Sequence, residues 1–382
     1  AGLFTGYAWD PLAVIWVPVQ PVAAISAWVG TYALSGLTVV FAGLALIAVR
    51  ARRHLAMAGL FAALAPIVLA QAISYQVMWT PWNPPADYPR LVIVQPGISQ
   101  DARGEEDSGP MIRALVRHSG QPGAAPRLIV WPEGVIRDYV EDGYPWRYVY
   151  WQDPPELLRA RLASILGPKD VLLFGGNALQ FDSAGKLQTA TNSIFALDAK
   201  AKLRGRYDKA HLVPYGEYLP MRWLLEPLGL SRLVPGDIDF RDGHGPHGLA
   251  LAPFGEIGMQ ICYEIIFSGE VVGSPRPRLL FNPSNDAWFG KWGPPQHLAQ
   301  ARLRAIEEGV AIVRSTPTGI SAAIDPSGRI LAQVPPGPAG SVELPLPRSA
   351  APTLFSRIGN WAALIVALLL AASAVALRRR GR

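Results

Sequence analysis

Three stretches of this 382-residue chain carry no charged side chain: residues 28–49, 55–79 and 358–377. Each reaches the roughly 20 residues that a helix needs to cross a bilayer core. One such stretch would suit a buried helix of a soluble domain. Three of them, two consecutive and the third far along the chain, predict membrane spans. Whatever lies between the second and third must then fold as a unit on one side of the membrane.

Arginines orient the spans. Arg50, Arg52 and Arg53 fill the turn between the first two stretches, and Arg378, Arg379, Arg380 and Arg382 follow the third. Arginines flanking spans this closely stay in the cytoplasm. The chain is therefore read as a membrane region (1–80), an extracytoplasmic domain (81–356) and a C-terminal span with a basic cytoplasmic tail (357–382). The net charge of +6 is largely these arginines, so it implies no nucleic-acid partner. The first span would start from the outer face, and the chain reads as the C-terminal part of a longer membrane protein. Pro11, Pro18 and Pro21 argue against a straight helix over residues 11–27 and place that segment at the interface or among other helices.

A Pro-rich linker, PWNPPADYP at residues 81–89, opens the middle segment. Beyond it, apolar runs at 91–95, 128–131, 171–175, 193–197, 257–262, 279–282, 310–315 and 320–324 predict strands. Helical spacing marks 155–166 and 295–308. The alternation predicts an α/β domain with one substantial core. Residues 218–230 are different: Met221, Trp223, Leu224, Leu225, Leu228 and Leu230 occupy a loop-like region, which suits a lid meeting a lipid surface.

Cys262 is the single cysteine, so no internal disulfide can form. Alone, it would be read as core filling. Its company changes the reading, because Glu133 in Trp131-Pro132-Glu133 and Lys209 in Tyr207-Asp208-Lys209 each follow a strand-like run as Cys262 does. A thiol, a carboxylate and an amine at separate strand ends are the parts of a Cys-based acyl-transfer site. Glu133 can take the thiol proton, and Lys209 with a backbone N–H can stabilise an oxyanion. A helix starting at Glu264 and running to Val271 would lower the thiol pKa through its dipole. His211 and His297 read as structural hydrogen bonders, Asn285-Asp286 as a turn. The pattern contains no metal-ligand cluster and no phosphate loop.

Taken together, Trp131-Pro-Glu133, the run from Tyr207-Asp-Lys209 to Pro214-Tyr-Gly-Glu217, Ile261-Cys262-Tyr-Glu264 and Ser284-Asn-Asp-Ala-Trp-Phe-Gly290 resemble the nitrilase superfamily. With the spans, the whole chain resembles the apolipoprotein N-acyltransferase branch of bacteria. The resemblance implies a nitrilase-like four-layer αββα sandwich flanked by transmembrane helices, at the inner membrane with its catalytic domain periplasmic. It implies a Glu133–Lys209–Cys262 triad, Glu217 orienting Lys209, and Tyr263 and Glu264 lining the site, with no cofactor. It also implies a phospholipid acyl donor and, as acceptor, the N-terminal amine of a diacylglyceryl apolipoprotein. Family members carry eight membrane helices and a Trp in the loop after the first domain strand. This chain shows about three candidate spans, and its loop at 100–107, QDARGEED, has no aromatic. A membrane-tethered amidase acting on a small C–N substrate, or a non-catalytic scaffold on the same fold, are the competing classes.

Overall fold

Strands buried on both faces feed two cores at once. In a computed structural model of the chain, β1 (Arg90–Gln95) sends Leu91 and Ile93 into one hydrophobic cluster and Val92 and Val94 into another. β2 (Arg127–Val130) and β3 (Val171–Phe181) divide likewise, with Leu128, Val130 and Leu173 on one side and Ile129, Leu172 and Phe174 on the other. This double burial explains why the segments read as unbroken apolar runs. The structure describes residues 8–50, 83–99, 108–145, 153–229, 239–287 and 290–380, with Gly6, Ala65 and Leu69.

β1, β2 and β3 pair in parallel. β4 (Leu187–Asp198), β5 (Leu203–Asp208) and β12 (Gly340–Pro345) add antiparallel neighbours, giving a mixed sheet of order β12-β1-β2-β3-β4-β5. The second sheet repeats the plan. Its parallel centre is β7 (Gly255–Met259), β8 (Leu279–Pro283) and β9 (Ala311–Ser315). Outside these lie β6 (Gly248–Leu251), β10 (Ser321–Ile324) and β11 (Ile330–Val334), in the order β11-β10-β9-β8-β7-β6.

The sheets stack through Ile257, Met259, Leu279, Phe281 and Val313, which join Leu91, Ile93 and Leu128 in one cluster. On the outer face of the first sheet, α2 (Gly109–His118) and α3 (Pro155–Ala163) contribute Ile112, Leu115, Leu158 and Leu162. On the outer face of the second, α4 (Gly293–Glu308) contributes Leu298, Ala301 and Ala305. The layers run helix, sheet, sheet, helix. α2 escapes sequence reading because it buries little, only Gly109, Ile112 and Leu115.

Among the described residues, α1 (Ser26–Arg50) is the one helix long and apolar enough to cross a membrane. Its Val39, Ile47 and Val49 face outward, unburied. The expected span at 55–79 lies outside the described residues. The C-terminal helix α5 (Trp361–Arg380) forms and packs against α1, but its apolar part, Trp361–Ala376, falls short of the same length test. The segment at 11–27 forms no straight helix, in keeping with Pro11, Pro18 and Pro21. It folds as a 3-10 turn, Leu12–Trp16, and a short helix, Gln20–Ala23, and its Ala13, Val17 and Ala23 pack with Leu34 of α1 and with Leu303 and Ile306 of α4. It belongs to the seam between α1 and the α/β domain.

Candidate active site

The site is assembled where strands end. Glu133 follows β2, Lys209 is the residue after β5, Cys262 follows β7 and Asn285 follows β8. Backbone pairing carries the first of these positions on past the sheet, with Trp131 N donating to Leu173 O at 2.9 Å, and Lys209 N donates to Asn192 O at 2.8 Å. Lys209 is 1% exposed, Cys262 7% and Glu133 8%, so the three sit in protein rather than in water.

Lys209 Nζ donates to Glu217 Oε1 at 2.8 Å and lies 3.8 Å from Glu133 Oε1. Asn192, in the middle of β4, donates through Nδ2 to Glu133 Oε1 at 2.8 Å and to Glu217 Oε1 at 3.1 Å. Asn285 N donates to the other Glu133 oxygen at 2.8 Å. Glu133 and Cys262 are close enough to shift each other's proton affinity, and Cys262 Sγ lies 3.9 Å from the Asn285 carbonyl oxygen. The structure thus brings Glu133, Lys209, Glu217 and Cys262 together.

The charges are unequal partners. Burial alone would push Lys209 down, but the carboxylates of Glu217 and Glu133 outweigh it and hold the ammonium above its usual range. Glu217 takes the closer contact. Burial, reinforced by the Glu217 charge, therefore leaves Glu133 raised despite Lys209, and so a stronger base than a free carboxylate. Burial also pushes the Cys262 thiol well up, with Glu133 adding to it and Lys209 opposing. The raised thiol favours the protonated form, so any reaction at sulfur needs a base beside it.

That differs from the expected dipole-lowered thiolate, and the backbone shows why. No helix runs from Glu264 to Val271. Cys262–Ile266 is one 3-10 turn of five residues, and the chain becomes extended at Phe267. Cys262 itself has a left-handed backbone, φ +49°.

Glu264 and Tyr263, the two residues after Cys262, make contacts of their own. The Glu264 carboxylate accepts from Tyr207 Oη at 2.9 and 3.1 Å, from Ala210 N at 2.7 Å, His211 N at 2.9 Å and Ile261 N at 2.6 Å. It ties the loop after Lys209 to the residue before Cys262. Burial raises its pKa to about 7 against these donors. Tyr263 packs in the α4-side core and donates to the Gly6 carbonyl. Asn192 was not read from the sequence, because Gln188, Thr189, Thr191 and Ser193 make it one polar residue among several in β4. Asn282, like His297 and Asp286, is fully buried beneath the Cys262 turn.

Residues 102–350 match the carbon-nitrogen hydrolase family. Apolipoprotein N-acyltransferase of Caulobacter vibrioides is 34% identical over 99% of this chain and 70% of its own length. The chain belongs to the apolipoprotein N-acyltransferase family. The Bradyrhizobium diazoefficiens relative is also 34% identical, over 98% of this chain and 70% of that one. The Rhodopseudomonas palustris apolipoprotein N-acyltransferase is 35% identical over 77% of this chain and 54% of the relative, so the chain spans about half to two thirds of the family members it matches. Among solved structures, Nit3 of Saccharomyces cerevisiae, a nitrilase-superfamily member, aligns at TM-score 0.46 and 18% identity, covering 68% of this chain and 90% of that one.

Proposed function

We propose that the chain transfers a fatty acyl group from a phospholipid, through a Cys262 thioester, to the N-terminal amine of a diacylglyceryl apolipoprotein. Glu133 takes the thiol proton as sulfur attacks the ester carbonyl. Lys209 faces the oxyanion, and collapse releases a lysophospholipid whose alkoxide takes the proton back from Glu133. In the second half the acceptor amine attacks the thioester and gives a proton to Glu133. Collapse forms the amide, and the departing sulfur is reprotonated. Glu217 holds Lys209 throughout.

The observation that carries this reading is the buried thiol–carboxylate–ammonium cluster in a chain that also bears an apolar, span-length helix. An acyl chain must leave lipid to reach Cys262. The segment at 219–229 suits that passage, with Trp223 77% and Leu228 69% exposed. The arginine clusters favour a bacterial inner-membrane location with residues 81–356 in the periplasm. Incubation of the detergent-solubilised chain with a phospholipid of defined acyl chains, followed by intact-mass analysis, tests the proposal. An acyl adduct at Cys262, discharged by a diacylglyceryl-cysteine peptide, is expected. Hydrolysis of a small amide without any acyl adduct from phospholipid would mark an amidase instead.

A further inference from the structure

Cys262 is held in a backbone conformation that a side chain resists. A left-handed φ costs a residue with a Cβ about 1–2 kcal/mol, and here the value is +49°. Glycine would adopt it freely but carries no sulfur. Something must therefore hold the peptide in place.

The Cys262 carbonyl oxygen is met from two sides. Asn282 Nδ2 donates to it at 3.1 Å and also to the Gln260 carbonyl at 2.6 Å. His297 Nε2, from the first turns of α4, lies 3.1 Å from the same Cys262 oxygen. Arg314 on β9 organises both. Its Nη1 donates to Asn282 Oδ1 at 2.8 Å, which fixes the amide so that nitrogen faces the carbonyls. Its Nη2 donates to Asp286 and stands 3.1 Å from His297 Nδ1. Nδ1 also stands 3.0 Å from Asp286 Oδ1, between that acceptor and the Arg314 donor. The Cys262 carbonyl can only accept, so the Nε2 contact requires the ring proton on Nε2. Burial and the Arg314 charge keep the ring neutral against the pull of Asp286. Asn282, His297 and Arg314 are wholly buried and Asp286 is 3% exposed, so no solvent competes for these bonds.

We propose that Asn282 and His297 are positioning residues that clamp the Cys262 carbonyl and so hold the nucleophile in its left-handed conformation, with Asp286 and Arg314 setting their orientation. Neither Glu133 nor Lys209 is among the groups that meet this carbonyl. It acts on where Sγ points rather than on the proton. The proposal rests on Cys262 being the nucleophile assigned above.

Two variants of His297 separate the roles. In His297→Gln the side-chain amide reaches as far as Nε2 and keeps the donor. In His297→Asn it falls short and loses it. Each is compared with the wild-type full chain in detergent, reading Cys262 alkylation by iodoacetamide and phospholipid acylation by intact mass, with melting temperature as the control for folding. The expected result is a loss of about 10- to 100-fold in both rates for His297→Asn, the size of effect that misplacing a reacting group produces. His297→Gln should stay within a few-fold of wild type. A folded His297→Asn protein that reacts at the wild-type rate overturns the clamp. So does a His297→Gln protein as slow as the Asn variant. If His297→Asn does not fold, Asn282→Ser removes the other donor and carries the same expectation. Wild-type chain that is alkylated at Cys262 but never acylated would defeat the acyl-transfer reading while leaving the clamp standing.

Discussion

At the residue scale the site is a problem of three charges and one proton. Lys209 cannot satisfy two carboxylates equally, and the 2.8 Å contact to Glu217 against 3.8 Å to Glu133 decides which is neutralised. Glu133 must be ionised to act as base, so acylation is lost as pH falls through its pKa, which burial places above the ordinary 4.5. Replacing Glu217 by Gln removes a repelling charge from Glu133 and frees Lys209 to pair with it. Both effects lower the Glu133 pKa. The acidic limb of single-turnover thioester formation should move to lower pH in Glu217→Gln, with a slower plateau from the weaker base; a limb that stays or moves up contradicts the assignment. Cys262→Ser should retain the fold and lose all but about a hundredth of the acylation rate, since a hydroxyl is a far poorer nucleophile than a thiol for the same base. Mass analysis of the Ser variant after lipid incubation checks this. The residue types and their strand-end placement were legible in the sequence. The neutral resting state of Cys262 was not, because it depends on burial and on a turn that only the folded backbone reveals.

At the element scale, what could be read was what is buried on both faces. The eight apolar runs became β1–β4 and β7–β10, whereas β5 was read only as the strand-like run at Tyr207-Asp208-Lys209 and β6, β11 and β12 were not read; these four are the sheet edges. β11 and β12 alternate exposed and partly buried positions, since an edge strand has one face or side in water. The membrane helix offers a sharper test. α1 breaks at Gly30, φ +79° and ψ 168°, and the Phe355 ring fills the space beside it, 2.2 Å from where a Cβ would stand. One residue on, Thr31 N donates to Glu307 of α4, so a carboxylate from another helix caps the span. Gly30→Ala should therefore destabilise the protein by at least about 2 kcal/mol, combining a Gly-only backbone with overpacking. Adding Phe355→Ala relieves the clash but not the backbone strain. The double variant should melt above the sum of the single losses, and simple additivity in detergent would show that the ring does not oppose the Cβ.

At the scale of the whole molecule, one helix joins the two halves of the proposed function. α4 presents His297 to the Cys262 carbonyl near its start and Glu307 to the base of α1 near its end. Arg304 of the same helix donates to Thr31 Oγ1 and pairs with Glu307 at 2.6 Å. Cys262 is thus tied to α1 by a rigid element rather than by a linker, which suits the proposed transfer from a substrate that arrives along a membrane. Which side it faces is then a matter of topology. Arg50 ends α1 and Arg378, Arg379 and Arg380 end α5, so both helices carry their positive charge at the end away from the domain. The proposed topology follows from the positive-inside rule, which would put those ends in the cytoplasm and residues 81–356 in the periplasm. Ser183 tests this well. It is exposed at the tip of the turn between β3 and β4, next to Asp182, whose carboxylate accepts from Ala184 N and Lys186 N at 2.9 Å and should be left in place. Ser183→Cys on a Cys262→Ser background gives one thiol in the whole chain. In intact spheroplasts it should react with a membrane-impermeant maleimide; labelling that appears only after lysis would put the domain in the cytoplasm, out of reach of exported lipoproteins, and would remove their N-termini as the acceptor.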